Sequence, residues 1–163
     1  MSARASEEAR GEAVPIFGIQ MPAGYRDWRL ITVAREEALG DIRAVLGNEV
    51  AIEAYRAGKL PFPDGTVIAR LAWEHLPSEE NEHAFERVMK LPPGERHGSF
   101  VAGHPKNGVQ FMVKDSKRYA STGGWGYAHF NQGKPADKKL HESCFPCHEA
   151  ARGRDFVFAR YSP

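Results

Sequence analysis

Thr66-Val67-Ile68-Ala69-Arg70-Leu71-Ala72-Trp73-Glu74 reads as a β-strand, and that reading decides the fold class. Val67, Ala69, Leu71 and Trp73 fall on one face at a period of two, while Thr66, Ile68, Arg70, Ala72 and Glu74 fall on the other. The turn Pro61-Phe62-Pro63-Asp64-Gly65 leads into it. Downstream, residues 109–114 alternate in the same way, and Gly123-Gly124 opens a further strand over residues 125–130. Upstream, residues 28–33 and 42–46 are strand candidates, the second ended by Gly47-Asn48. The apolar run 156–161 is predicted to finish the chain as another strand. Helices are short: residues 49–57, stopped by Gly58; a stretch around 82–89 inside a polar, proline-bearing segment; and one starting at about Ala136. Strands outnumber helices. The expected fold is α+β, mainly β, with an antiparallel sheet of about five strands, short helices, and a C-terminal helix that carries the cysteines.

The chain has 163 residues, 42% hydrophobic and 26% charged, with a net charge of +1. That is enough for one domain with a core, and too balanced to argue for nucleic acid or an anionic membrane as partner. No apolar run reaches the length of a membrane span. Residues 1–14 read as a polar, disordered or tag-like arm, and 15–163 as a single domain without repeats or linkers. Residues 1–10 lack the apolar stretch of an export signal.

Both cysteines lie in Cys144-Phe145-Pro146-Cys147-His148. A histidine directly after the second cysteine is what covalent haem attachment requires. Two thioethers hold the vinyl groups, and the next residue is aimed at the iron. Cys144 and Cys147 are therefore the expected attachment residues of one haem c per chain, and His148 the expected iron ligand. Two other readings remain open. A redox disulfide across this spacing belongs after a strand near the front of a small α/β domain, whereas this motif sits close to the C-terminus. A zinc site needs further ligands, for which His141 and His148 are the nearest candidates. Haem c is attached outside the bacterial cytoplasm, so a periplasmic location is expected, with the export signal removed from this chain.

Other candidates follow from position. Arg70 is either a solvent-facing charge paired with Glu74, or a donor to a bound ligand or a haem propionate; Ile68 and Ala72 on its face favour the latter. Glu74 is a candidate proton acceptor. Gly126 and Ala128 leave one side of their strand bare, which lets a porphyrin, or equally a packed helix, approach the backbone. Ala128 and Phe130 are accordingly candidate cofactor contacts. Phe62, Trp73, Phe111, Trp125 and Tyr127 are expected in the core, with one or two aromatics capping the iron. His75, His83, His97, His104, His129 and His141, with Met21, Met89 and Met112, are read as surface or satisfied core rather than as a sixth ligand. Lys114, Lys117 and Arg118 read as a solvated basic cluster, as do Lys134, Lys138 and Lys139. An acidic redox partner is the alternative use of either.

Several segments in this order resemble the cytochrome P-460 family, including its cytochrome c-prime-beta members, over about residues 22–161. They are Phe62-Pro63-Asp64-Gly65-Thr66-Val67, Ser99-Phe100-Val101-Ala102-Gly103, the run from Gln110 to Ala120, the run from Ser121 to Ala128, and the terminal cysteine motif followed by Arg154-Asp155-Phe156-Val157-Phe158. The resemblance implies a five-stranded antiparallel fold holding one haem c. It also implies a five-coordinate iron with an apolar cap, and either hydroxylamine oxidation or binding of nitric oxide and similar small ligands. Enzyme members depend on a lysine joined to the macrocycle. This chain has no lysine between Lys59 and Lys90; Arg70 stands in the strand instead. A guanidinium is a poor nucleophile. The resemblance therefore points to a gas-binding protein. A hydroxylamine-oxidising or peroxidase-like enzyme and a plain electron carrier are the alternatives. A small gaseous or nitrogenous ligand, a redox partner and a homodimer are all compatible with it.

Overall fold

A computed structural model describes residues 17–92 and 94–163. The expected arm over 1–14 lies outside the described residues. The core architecture is a six-stranded antiparallel sheet in simple chain order. Its strands are β1 (Arg29–Glu36), β2 (Asp41–Gly47), β3 (Val67–Pro77), β4 (Phe100–Lys114), β5 (Trp125–Asn131) and the two-residue β6 (Lys134–Pro135). The mainly-β α+β expectation holds, with one strand more than expected. β6 arises because the turn after β5 returns just far enough to pair Lys134 with Asn131 and Pro135 with Phe130.

Among the described residues, three α-helices accompany the sheet: α1 (Glu49–Arg56), α2 (Glu79–Met89) and α3 (Lys138–His148). Each starts on a side chain that accepts an otherwise unpaired N–H of the first turn, Asn48 from Ala51, Ser78 from Asn81 and Asp137 from Leu140. Asn48 does more than cap. Its Oδ1 also accepts from Val67 N at 3.0 Å and its Nδ2 donates to Gly65 O at 2.9 Å, so the start of α1 is tied to the start of β3.

The cross-strand register puts Ile68, Met112 and Tyr127 in one row and Arg70, Gln110 and His129 in the next. These rows share a face. Its lower part packs with Ile31, Val45, the buried side of α1, Phe62 and Val157, and Cys144, Phe145 and Phe156 lie against that cluster. The opposite face, with Ala69, Leu71, Val109, Phe111, Ala128 and Phe130, is covered by Ile19, Tyr119, Tyr25 and Trp28. Both faces of β3 are thus buried, which its near-continuous apolar sequence allows.

Two expectations need correction. The run 156–161 is not a strand. Asp155 and Phe156 adopt left-handed backbone (φ 53° and 65°), which turns the chain away from extended pairing. The tail instead runs past α1 and donates one backbone bond to the sheet, Ser162 N to Ile31 O at 2.8 Å. The bare side of β5 does not meet the cysteine-bearing helix. A Cβ on Gly126 would come within 2.5 Å of the Tyr119 ring and 2.9 Å of Ile19, so the space there is already filled by side chains. Ala128 and Phe130 belong to that cluster, on the face away from His148, and the structure does not support them as cofactor contacts.

This packing makes a direct prediction. Gly126→Ala forces Tyr119 or β5 to shift, and the variant is expected to unfold more easily by about 1–3 kcal/mol in denaturant titration, as over-packed cores do. An unchanged midpoint would mean that the Tyr119 ring is not seated there.

Candidate functional site

α3 is anchored before it reaches the cysteines. His141 is almost wholly buried; its Nε2 accepts the backbone N–H of His129 at 3.0 Å, and its Nδ1 donates to Asp137 O at 2.8 Å. The N–H on the outer edge of β5 is thereby satisfied by the helix rather than by another strand, which also blunts that edge. His141 is satisfied core, as expected of it.

One turn further on, Cys144 and Cys147 present two free thiols three residues apart, so on the same side of the helix. Cys144 is half-buried and Cys147 exposed. Burial, with Cys147 adding to it, pushes the Cys144 thiol above its usual pKa. A redox-active thiolate needs the reverse, and usually the positive end of a helix, whereas these residues occupy the C-terminal part of α3. Among the described residues no group of three or more His, Cys, Asp or Glu side chains gathers as a metal site. The zinc reading therefore finds no completed ligand set there.

His148 is the last residue of α3. Its Nδ1 lies 2.7 Å from Phe156 O. A carbonyl only accepts, so Nδ1 carries the hydrogen and Nε2 is left with its lone pair. The ring packs against Tyr127 (centroids 5.0 Å apart) and Phe158 (5.2 Å). Burial holds His148 below the usual histidine pKa, partly opposed by the bond to Phe156, so the neutral, ligand-competent ring is favoured.

The Asp155–Phe156 segment that carries this carbonyl is held from several directions. Lys114 Nζ contacts both oxygens of Asp155, at 2.8 and 2.9 Å, and Gly123 O at 3.1 Å. Asp155 Oδ2 also accepts Phe62 N at 2.9 Å. Phe156 N donates to Ala151 O at 3.0 Å. Left-handed backbone at a residue with a bulky side chain costs roughly 1–3 kcal/mol, so the surrounding bonds must impose it. Lys114, expected on the surface, is 5% exposed.

Arg70 faces the same side of the sheet as Tyr127 and His129, between Val45 and Gln110 on the adjacent strands. It pairs with Asp41, not Glu74: Nη2 donates to Oδ2 at 3.2 Å. Asp41 is fully buried and also receives Arg43, Nε to Oδ1 at 2.7 Å, and Asn107 Nδ2 at 3.4 Å. Burial lowers the pKa of Arg70, with Arg43 adding to the effect and Asp41 opposing it. Glu74 accepts from His104 N at 3.2 Å, towards the loop end of the strand pair. The structure therefore joins Cys144, Cys147 and His148 in one place, puts Arg70 in a separate polar cluster on the same sheet face, and ties Glu74 to the β4 backbone.

Sequence reasoning put Tyr127 in the core without singling it out from the other aromatics; the structure sets it beside His148. Its hydroxyl and the Trp125 indole N–H are buried and find no hydrogen-bond partner among the described residues, and the Tyr127 ring touches His148. Buried phenols normally find a partner. The signal was present in the alternation of Trp125, Tyr127 and His129, which share the face that α3 covers.

His129 connects the two groups. Its Nε2 is 3.2 Å from Asn131 Oδ1, and its Nδ1 is 3.3 Å from Gln110 Nε2. Burial sets it below its ordinary value of 6.5; bonds to Asn131 and Asn107 oppose this, and His141 and Arg70 reinforce it. With the folded value depressed, the unfolded chain takes up the proton first as the pH falls through 6.5, so acid destabilises the fold. Unfolding free energy is expected to decline from pH 7 towards pH 5 with a slope of at most about 1.4 kcal/mol per pH unit from this group. His129→Gln should flatten that slope; an equally steep profile in the variant would remove His129 as its source.

The thiol pair one helical turn apart and the neutral histidine with a free Nε2, with the Tyr127 ring beside it, fit a haem site better than a zinc site or a disulfide. No curated protein matches the chain. A family model described as Cytochrome P460 matches residues 22–159. That span takes in the sheet, α3 and the Cys144–His148 motif, and on it the chain belongs to the cytochrome P460 family of haem proteins.

Proposed function

We propose that this protein carries one haem c, attached through Cys144 and Cys147 with His148 Nε2 as the axial iron ligand, and that it binds a small gaseous ligand, nitric oxide first among them. The observation that carries the reading is the 2.7 Å bond from His148 Nδ1 to Phe156 O, which leaves Nε2 as the only ring nitrogen free for a metal. When bound, haem supplies a redox-active iron able to take a diatomic ligand. The chain's own residues do the rest. Tyr127 and Phe158 pack against the imidazole and restrain its orientation, and the Phe156 carbonyl makes the imidazole a stronger donor. Phe145, Met112 and Ile68 keep water from the side of α3 that faces the sheet. Arg70 and Gln110 offer N–H donors on the same sheet face, suited to a propionate or to a polarised ligand.

The hydroxylamine-oxidising alternative is weaker for a chemical reason. Its strand carries a guanidinium bound to a buried carboxylate where a nucleophilic amine is wanted, and Glu74 is already engaged by His104 N–H. A periplasmic site of action belongs with the haem c proposal, because that attachment takes place outside the cytoplasm. An electron-transfer role would need a second strong axial ligand. The two buried histidines, His129 on β5 and His141 within α3, have both ring nitrogens occupied.

Absorption spectra of the ferric and ferrous protein, the latter with and without nitric oxide, test the proposal together with the mass of the haem-bearing peptide. Expected are a high-spin ferric spectrum, a clean shift on nitric oxide, and thioether links at residues 144 and 147 alone; Cys144→Ala/Cys147→Ala should lose covalent haem. A low-spin spectrum indifferent to nitric oxide would overturn gas binding in favour of electron transfer. A strongly red-shifted ferrous Soret band with a third covalent link would favour the enzyme.

A further inference from the structure

We propose that Lys114 and Asp155 are positioning residues for the axial histidine: their buried ion pair locks the Phe156 carbonyl onto His148 Nδ1 and so sets the donor strength of the iron ligand. This rests on the reading of His148 as that ligand. Both side chains are more than nine-tenths buried. A buried ion pair is a poor device for stability alone, because desolvating two charges cancels most of their attraction. Its yield here is geometric.

Two consecutive residues, Asp155 and Phe156, hold left-handed backbone. Aspartate tolerates that conformation; phenylalanine resists it. Three elements converge to enforce it. Lys114, at the end of β4, bridges the Asp155 carboxylate and Gly123 O, with the Trp125 ring 5.0 Å beneath its ammonium. Phe62 N–H fixes the second carboxylate oxygen. Gly123 makes room for the Phe156 ring, since a Cβ there would stand 2.2 Å from it. The result is one carbonyl, Phe156 O, pointing at one imidazole nitrogen. A firmly held acceptor at Nδ1 draws the imidazole towards imidazolate character, which strengthens its bond to iron and lowers the reduction potential. The pair thus acts on the iron through two intervening groups without touching it.

The test uses the haem-loaded protein. Lys114→Met/Asp155→Asn removes both charges while keeping side-chain volume, an acceptor for Phe62 N–H, and a residue at 155 that tolerates left-handed backbone. Thermal unfolding is measured beside the ferrous iron–histidine stretching band and the reduction potential. A small change in unfolding temperature is expected, with the band moving to lower frequency and the potential rising. A folded variant whose band and potential match those of the unaltered protein overturns the inference. Asp155→Asn alone, which changes one charge and no shape, serves if the double variant does not accumulate; it is expected to move both readouts in the same direction, and unchanged values overturn the inference equally. If the unaltered protein has no iron–histidine band, or keeps it in His148→Gly, the axial-ligand reading itself fails. A normal band insensitive to the Lys114 and Asp155 changes defeats only the positioning role.

Discussion

The bond between His148 Nδ1 and the carbonyl of Phe156 is the constraint on which the site depends. It decides which imidazole nitrogen has a free lone pair, and it requires the chain leaving α3 to double back within eight residues. A 3-10 turn over Glu149–Arg154 and the left-handed pair after it accomplish the return. Neither is favourable alone. They persist because β4, the Gly123-Gly124 turn and the segment at Phe62 all meet at Asp155 and Phe156. A sheet in simple chain order helps, since it brings the end of β4 and the start of β5 together beside the start of β3.

The sheet face beneath α3 is divided by chemistry. Towards α1 and the C-terminal tail it is apolar, with Ile31, Val45, Ile68, Met112 and Trp125. Towards the other end it is polar, with Asp41, Arg43, Arg70, Gln110 and His129 joined by hydrogen bonds. The division follows the strands themselves, because β2 and β3 each put apolar residues at one end and charged ones at the other along the same alternating positions. An amphiphilic ring system with an apolar body and carboxylate-bearing edge matches such a face. Asp41 keeps two like-charged guanidiniums in place there, for without a buried anion they would repel each other and turn to solvent.

Much of this was legible in the sequence, and the parts that were not share a cause. β3, β4 and β5 follow from alternation, and the haem motif follows from spacing; both are local. The side of β5 that α3 covers is not local. Gly126 and Ala128 present a bare surface whatever fills it, and only the tertiary structure shows that Ile19 and Tyr119 do so. The run 156–161 has strand composition, but the backbone at Asp155 and Phe156 is imposed by contacts more than thirty residues away in sequence. Lys114 looked like part of a basic cluster because its partner, Asp155, lies 41 residues further on. Arg70 was placed on the right face by its period, yet its partner came from the neighbouring strand and not from Glu74.

Arg70 shows how one side chain limits the chemistry of the whole site. A lysine in this strand would offer a single nitrogen, which becomes a nucleophile once burial strips its proton. Arginine cannot follow that course. Its charge is spread over a planar fork, and that fork is matched here by a carboxylate with no exposure to water. Burial acts on both residue types in the same direction, but in arginine it begins from so high a pKa that the cation survives. The same position therefore changes from a group able to form a covalent bond into a fixed donor of hydrogen bonds. A strand that carries a fixed cation in place of an amine favours binding over bond-making at that position, and for that reason gas binding is proposed ahead of oxidation.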